Sequence, residues 1–145
     1  MNRYQFVISI VAALWVAGCA SKEKKEDLGG WAELDSFHTI MAQAFHPMKD
    51  SGNLAPAKQV INELAEAASK LASSDLPEKV DNPGMKSELE KLKKDAKSLS
   101  DDIKNNLSDE LVKEEFSALH QQFHKVMEMW QDSKEENEHD KNERR

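Results

Sequence analysis

The sequence predicts an all-α fold, an antiparallel up-down-up-down four-helix bundle, on three observations. Apolar residues recur at helical spacing in four stretches. No segment alternates with period two, and β-branched residues are scarce beyond the first eighteen positions. Two short turns and one longer loop join the stretches, the connectivity of neighbouring helices that alternate in direction.

The first stretch runs from about Gly30 to Asp50, with Trp31, Leu34, Phe37 or His38, Met41, Phe45 and Met48 on one side. Ser51-Gly52-Asn53 is a turn. The second, about Leu54 to Ser74, is alanine-rich, with Val60, Ile61, Leu64, Ala68 and Leu71 as its stripe. Pro56 is tolerated because a first helical turn does not use the missing N–H. Ser73 to Pro77 breaks the helix, and a loop follows to Asn82-Pro83. The third stretch places Met85, Leu89, Leu92, Ala96, Leu99 and Ile103 at alternating spacings of four and three, the seam of a helix packed nearly parallel to its neighbours. Asn105-Asn106-Leu107 closes it. Ser108 then makes an N-cap, with Asp109 and Glu110 at the positive helix end. The fourth stretch carries Val112, Phe116, Leu119, Phe123, Met127 and Trp130, and Trp31 is expected to meet Trp130.

The ends of the chain have a different character. Arg3 precedes an apolar run from Phe6 to Ala17 interrupted only by Ser9, too short to span a bilayer and suited to the core of a secretory signal. Val16-Ala17-Gly18-Cys19 follows and resembles the bacterial lipobox. That resemblance implies a signal peptide over 1–18, a diacylglycerol on the Cys19 sulfur and an acylated, membrane-anchored new amino terminus facing the periplasm. Ala20 in the next place resembles lipoproteins sorted to the outer membrane. Residues 19–29 read as a lipidated, charged tether, 30–130 as the bundle, and 131–145, which lack any apolar residue, as a solvated, disordered tail.

Beyond residue 18, 19 basic residues face 27 acidic ones, a net charge of −8. Such a surface excludes nucleic acid as a partner, because phosphate binding needs a basic footprint. With the single cysteine lipidated, neither a disulfide nor a thiolate metal ligand remains. There is no HExxH, phosphate loop, CxxCH or GxSxG. An enzyme is therefore not expected.

The remaining chemistry lies in the histidines. His38 and His120 lie fourteen and thirteen residues from chain points at the same end of the bundle, so each stands about 20 Å from that end. Both deviate from the centre of their apolar stripes by roughly 40–60°, and they are expected to face each other at one level. His124 lies one turn from His120, near the level of Asp35. His46 is expected to stand apart, and Met41 reads as core.

Ser117-Ala118-Leu119-His120-Gln121-Gln122-Phe123 resembles the helix-four ligand segment of the cytochrome b562 family, and Asn82-Pro83-Gly84-Met85-Lys86 the start of that family's third helix. The resemblance covers about residues 30 to 126. It implies a cell-envelope bundle holding non-covalent haem b, with His120 as one ligand and His38 in the place usually held by methionine. The iron would then be bis-histidine and of lower potential.

Three functions follow as expectations. One is haem binding and electron transfer through His38 and His120. Another is binding or sequestration of Zn, Cu or Ni by His38, His120, His124 and Asp35. The last is a non-catalytic envelope scaffold.

Overall fold

A computed structural model describes residues 30–143, with side chains as far as Glu135. The leader, Cys19 and the tether expected before residue 30 lie outside the described residues. Four long helices are present: α1 (Ala32–Ser51), α2 (Ala55–Ser73), α3 (Pro83–Lys104) and α4 (Asp109–Glu143). A short 3₁₀ turn, Glu78–Val80, interrupts the α2–α3 connection. Among the described residues there is no strand.

Local chemistry sets the boundaries. α1 starts after Trp31 with Glu33 and Asp35 in its first turn, where carboxylates complement the exposed backbone N–H groups. It stops at Gly52, whose φ of 69° is left-handed and whose N–H donates to the Met48 carbonyl. Asn53 Oδ1 accepts from the Ala55 N–H at the start of α2. Asn82 caps α3, its Oδ1 accepting the Met85 N–H at 2.9 Å with Pro83 leading the helix, so α3 begins where the expected loop ends. Ser108 Oγ accepts the Leu111 N–H at 3.4 Å ahead of α4.

α1 packs along α2, α2 along α3, and α3 along α4, whereas the backbones of α1 and α4 come close at few places. One apolar core runs through all four helices. It takes Phe37 and Met41 from α1, Ile61 and Leu64 from α2, Leu89 and Leu92 from α3, and Phe116 and Phe123 from α4. Each such large side chain contributes about 1.5–3 kcal/mol on full burial. Phe37, not His38, takes the core position on α1, because only the phenyl ring enters water-free space without leaving a polar atom unpaired. Val126 joins the α4 stripe unexpectedly. Val80 of the 3₁₀ turn plugs the core from the loop.

The polar flanks fix how the helices sit. On the α3–α4 flank, Gln122 is only 9% exposed. Its Nε2 donates to Glu88 while its Oε1 accepts from Lys91 Nζ at 2.6 Å, and Lys125 also donates to Glu88. Lys125, then Gln122, hold the Glu88 carboxyl below its usual pKa by hydrogen bonding. Ser100 Oγ donates to Asn62 Oδ1 between α3 and α2. Trp31 and Trp130 meet edge to face, 5.5 Å between centroids, as the sequence predicts.

One boundary differs markedly. α4 does not fray after Trp130 but continues through residues 131–143. Glu, Gln and Lys are strong helix formers and dominate that segment, and a helix already nucleated by packing extends at little cost.

Candidate functional site

The α1–α4 seam is where the histidines gather. α1 contributes His38, half-buried, and His46, exposed. α4 contributes His120, half-buried, and His124, exposed. Each of His38, His46 and His124 directly follows a phenylalanine, and His120 follows Leu119. The large apolar residue turns towards the core or the seam, and one helical step of about 100° sets the imidazole on the flank.

The rings form a continuous array. His120 lies flat on Phe45, with centroids 3.6 Å apart and planes 4° from parallel. His124 meets His120 edge on, at 4.4 Å. His38 stacks on Phe123 at 5.4 Å, and Phe123 also contacts Phe37 at 5.1 Å and His124 at 6.1 Å. The register therefore differs from the expected one. Phe45, not His38, is the α1 residue laid against His120, and His38 is level with the turn that carries Phe123 and His124. Helix length alone cannot give this offset, because it depends on how each helix ends and leans.

Burial of the ring, followed by the nearby His124, His38, His46 and Lys49, pulls the His120 pKa from its ordinary 6.5 down to about 4. The imidazole is neutral at physiological pH, the protonation state that a metal requires. His46, expected to stand apart, is among the groups whose field His120 feels. Asp35 is half-buried one turn before His38, and its backbone carbonyl accepts from the Thr39 hydroxyl at 2.9 Å. Met41 is fully buried, a core residue.

Two kinds of ligand can be weighed against this geometry. A porphyrin is a broad rigid plate that needs an open apolar slot between its axial ligands. Here the interior beside His38 and His120 is filled by Phe37, Met41, Phe116 and Phe123, all fully buried, and Phe45 covers the His120 face. Haem does not fit the seam as these side chains stand. A metal ion is smaller and needs only nitrogen lone pairs. His120 and His124, at i and i+4 on one helix face, are spaced for two-point chelation. Among the described residues no three His, Cys, Asp or Glu side chains stand together as a ready metal-holding group. A third protein ligand would have to swing in.

Elsewhere, a surface groove of about 550 Å³ between α2 and α3 is lined by Lys93, Lys97, Lys104, Ser69 and Asp101 among others. Its lysines are paired with Glu90 and Asp101. No family model, curated protein or solved structure matches this chain. Among the described residues no helix is long and apolar enough to cross a membrane.

Proposed function

We propose that this is a lipid-anchored envelope protein whose helical bundle captures a divalent transition-metal ion, Zn²⁺, Cu²⁺ or Ni²⁺, at His120 and His124. The observation that carries this reading is the imidazole pair itself, 4.4 Å between ring centroids and one turn apart on α4. The neutral state of His120 supports it. A two-imidazole chelate leaves coordination positions open to water or another donor, which suits capture and hand-over better than a closed structural site. The borderline nitrogen donors favour these metals over Ca²⁺ or Mg²⁺, which take oxygen.

The bundle in this reading runs up-down-up-down. Contacts between Trp31 and Trp130, Phe37 and Phe123, and Phe45 and His120 support it, since the α4 number falls as the α1 number rises. The anchor is the acylated Cys19, in the outer membrane by the Ala20 rule. Labelling with radioactive palmitate tests it: Cys19→Ser should lose the label and leave the membrane fraction.

Calorimetric titration of the full-length chain in detergent with Zn²⁺ tests the capture. Wild type should bind, and His124→Ala should bind at least about tenfold more weakly, a difference of roughly 1.4 kcal/mol. Equal binding by both rejects the reading. Haem binding with electron transfer through His38 and His120 takes second place, because it requires Phe45 and Phe123 to move aside. A Soret band on adding hemin, lost in His120→Ala, would reverse the order. If neither ligand raises the melting temperature, a scaffold role remains.

A further inference from the structure

The charge of this chain is unevenly shared among its helices. α2 carries two lysines and two acids, and α3 six lysines and five acids. α4 carries eleven acids against four lysines, a net charge of −7. Between residues 131 and 143 alone, six acids face two lysines. A chain divided in this way offers complementary surfaces to a copy of itself.

The less acidic surface holds the groove between α2 and α3. Lys93, Lys97 and Lys104 of α3 line it against Glu66 and Asp101, which leaves it net positive in an acidic protein. Small residues of α2, Ala65 and Ser69, keep the other wall low, and the groove is about 550 Å³. The three lysines stand at i, i+4 and i+11, within about 40° of one stripe, and span about 16 Å of helix. They pair with Glu90 and Asp101, but with 39%, 72% and 57% of their side chains exposed. Ion pairs so exposed are each worth about 0–1 kcal/mol and exchange readily for another acid.

The end of α4 carries the matching pattern. Asp132, Glu136 and Glu143 also stand at i, i+4 and i+11, on a helical stretch about 20 Å long. That stretch does not reach the groove of its own chain. Lys125 donates to Glu88 and Lys91 to Gln122, whereas further along α3 Asp102 borders one pocket with Glu115. The α4 number thus falls as the α3 number rises, and Met129 lies beside Gly84 at the start of α3. Beyond Met129, α4 continues past that start, away from the three lysines. In a second copy turned end over end, the same stretch runs parallel to α3, and the two patterns coincide in order. Asp132 of one copy then meets Lys93 of the other, Glu136 meets Lys97, and Glu143 meets Lys104.

We infer that two copies of this chain pair about a two-fold axis across the bundle, each laying residues 131–143 of α4 into the α2–α3 groove of the other. One such contact is small, but the axis repeats it and closes the assembly at two. The pairing goes beyond metal capture and does not depend on it. It is compatible with the proposed anchor, because a pair lying along the membrane leaves each bundle within reach of a tether of residues 19–29, at most about 40 Å when extended. Held by exposed charges, the pair is sensitive to salt, since the screening length falls from about 10 Å at 0.1 M to about 3 Å at 1 M.

Sedimentation velocity of the full-length chain in neutral detergent reads the mass of the assembly. Wild type should be a dimer at about 0.1 M salt and dissociate at about 1 M. Reversing the groove (Lys93→Glu, Lys97→Glu, Lys104→Glu) should weaken dimerisation at least about tenfold, and reversing α4 (Asp132→Lys, Glu136→Lys, Glu143→Lys) should do the same. Far-UV circular dichroism of each variant checks that the helices remain. Mixing the two variants sets reversed α4 against reversed groove and native α4 against native groove, so the mixture should dimerise where neither chain does alone. A wild-type monomer at both salt concentrations overturns the inference. A dimer indifferent to the α4 reversal also overturns it, by showing that something other than α4 fills the contact, and so does a mixture that stays monomeric.

Discussion

Phe45 of α1 and His120 of α4 lie ring on ring, 3.6 Å between centroids and with planes 4° from parallel. The stack joins two helices whose backbones rarely meet, and it keeps water from one face of an imidazole. Replacing Phe45 with alanine should expose that face, raising the His120 pKa from about 4 towards its ordinary 6.5. Proton NMR titration of the imidazole reads this directly, and an unmoved pKa would show that the stack is not what keeps His120 neutral. The same change should cost about 2 kcal/mol, below the roughly 3–5 kcal/mol of a fully buried phenylalanine, because Phe45 is half-buried.

The His120 shift also sets a pH dependence. Its folded pKa is depressed, so between 6.5 and about 4 the unfolded chain takes up a proton that the folded chain refuses. The stability contributed by this ring is complete above pH 6.5 and declines as pH falls to about 4. After allowance for solvent at a half-exposed ring, the loss should be about 1–2 kcal/mol. Urea melts of metal-free protein across that window check it, and His120→Leu should flatten the slope.

Gln122 holds α3 against α4 by donating to Glu88 and accepting from Lys91. Alanine there leaves a half-buried carboxylate and an ammonium each short of a partner. A loss of about 1–3 kcal/mol is expected in chemical denaturation, against under about 0.5 kcal/mol for Lys94→Ala on the exposed face of α3.

Leu92 is fully buried in the middle of the α3 stripe. Leu92→Ala should cost about 2–5 kcal/mol and lower the melting temperature by roughly 10 °C or more in a domain of this size. Calorimetry measures it. A loss within 1 kcal/mol would mean that the core collapses around the gap.

The helices and their stripes were legible because burial leaves a period. Met85, Leu89, Leu92, Ala96 and Leu99 announce their shared face by spacing alone, and all are buried. Caps at Ser108 and the stop at Gly52 were legible for the same local reason. The relative height of α1 and α4 was not. It is set by tertiary packing, and Trp31 against Trp130 fixes one end while Phe45, not His38, rests on His120. The repeated Phe-His pair at 37–38, 45–46 and 123–124 was the available signal that the imidazoles line one seam. The extent of α4 was hidden because a charged stretch without apolar residues reads alike whether helical or frayed.

α4 outruns the bundle. Past Trp130, the last buried residue among those whose side chains are described, residues 131–143 carry the helix on for about 20 Å. By geometry alone, any small tilt of α4 at the ring-filled seam would be multiplied along that length, as the blade of an oar magnifies a small movement at the rowlock.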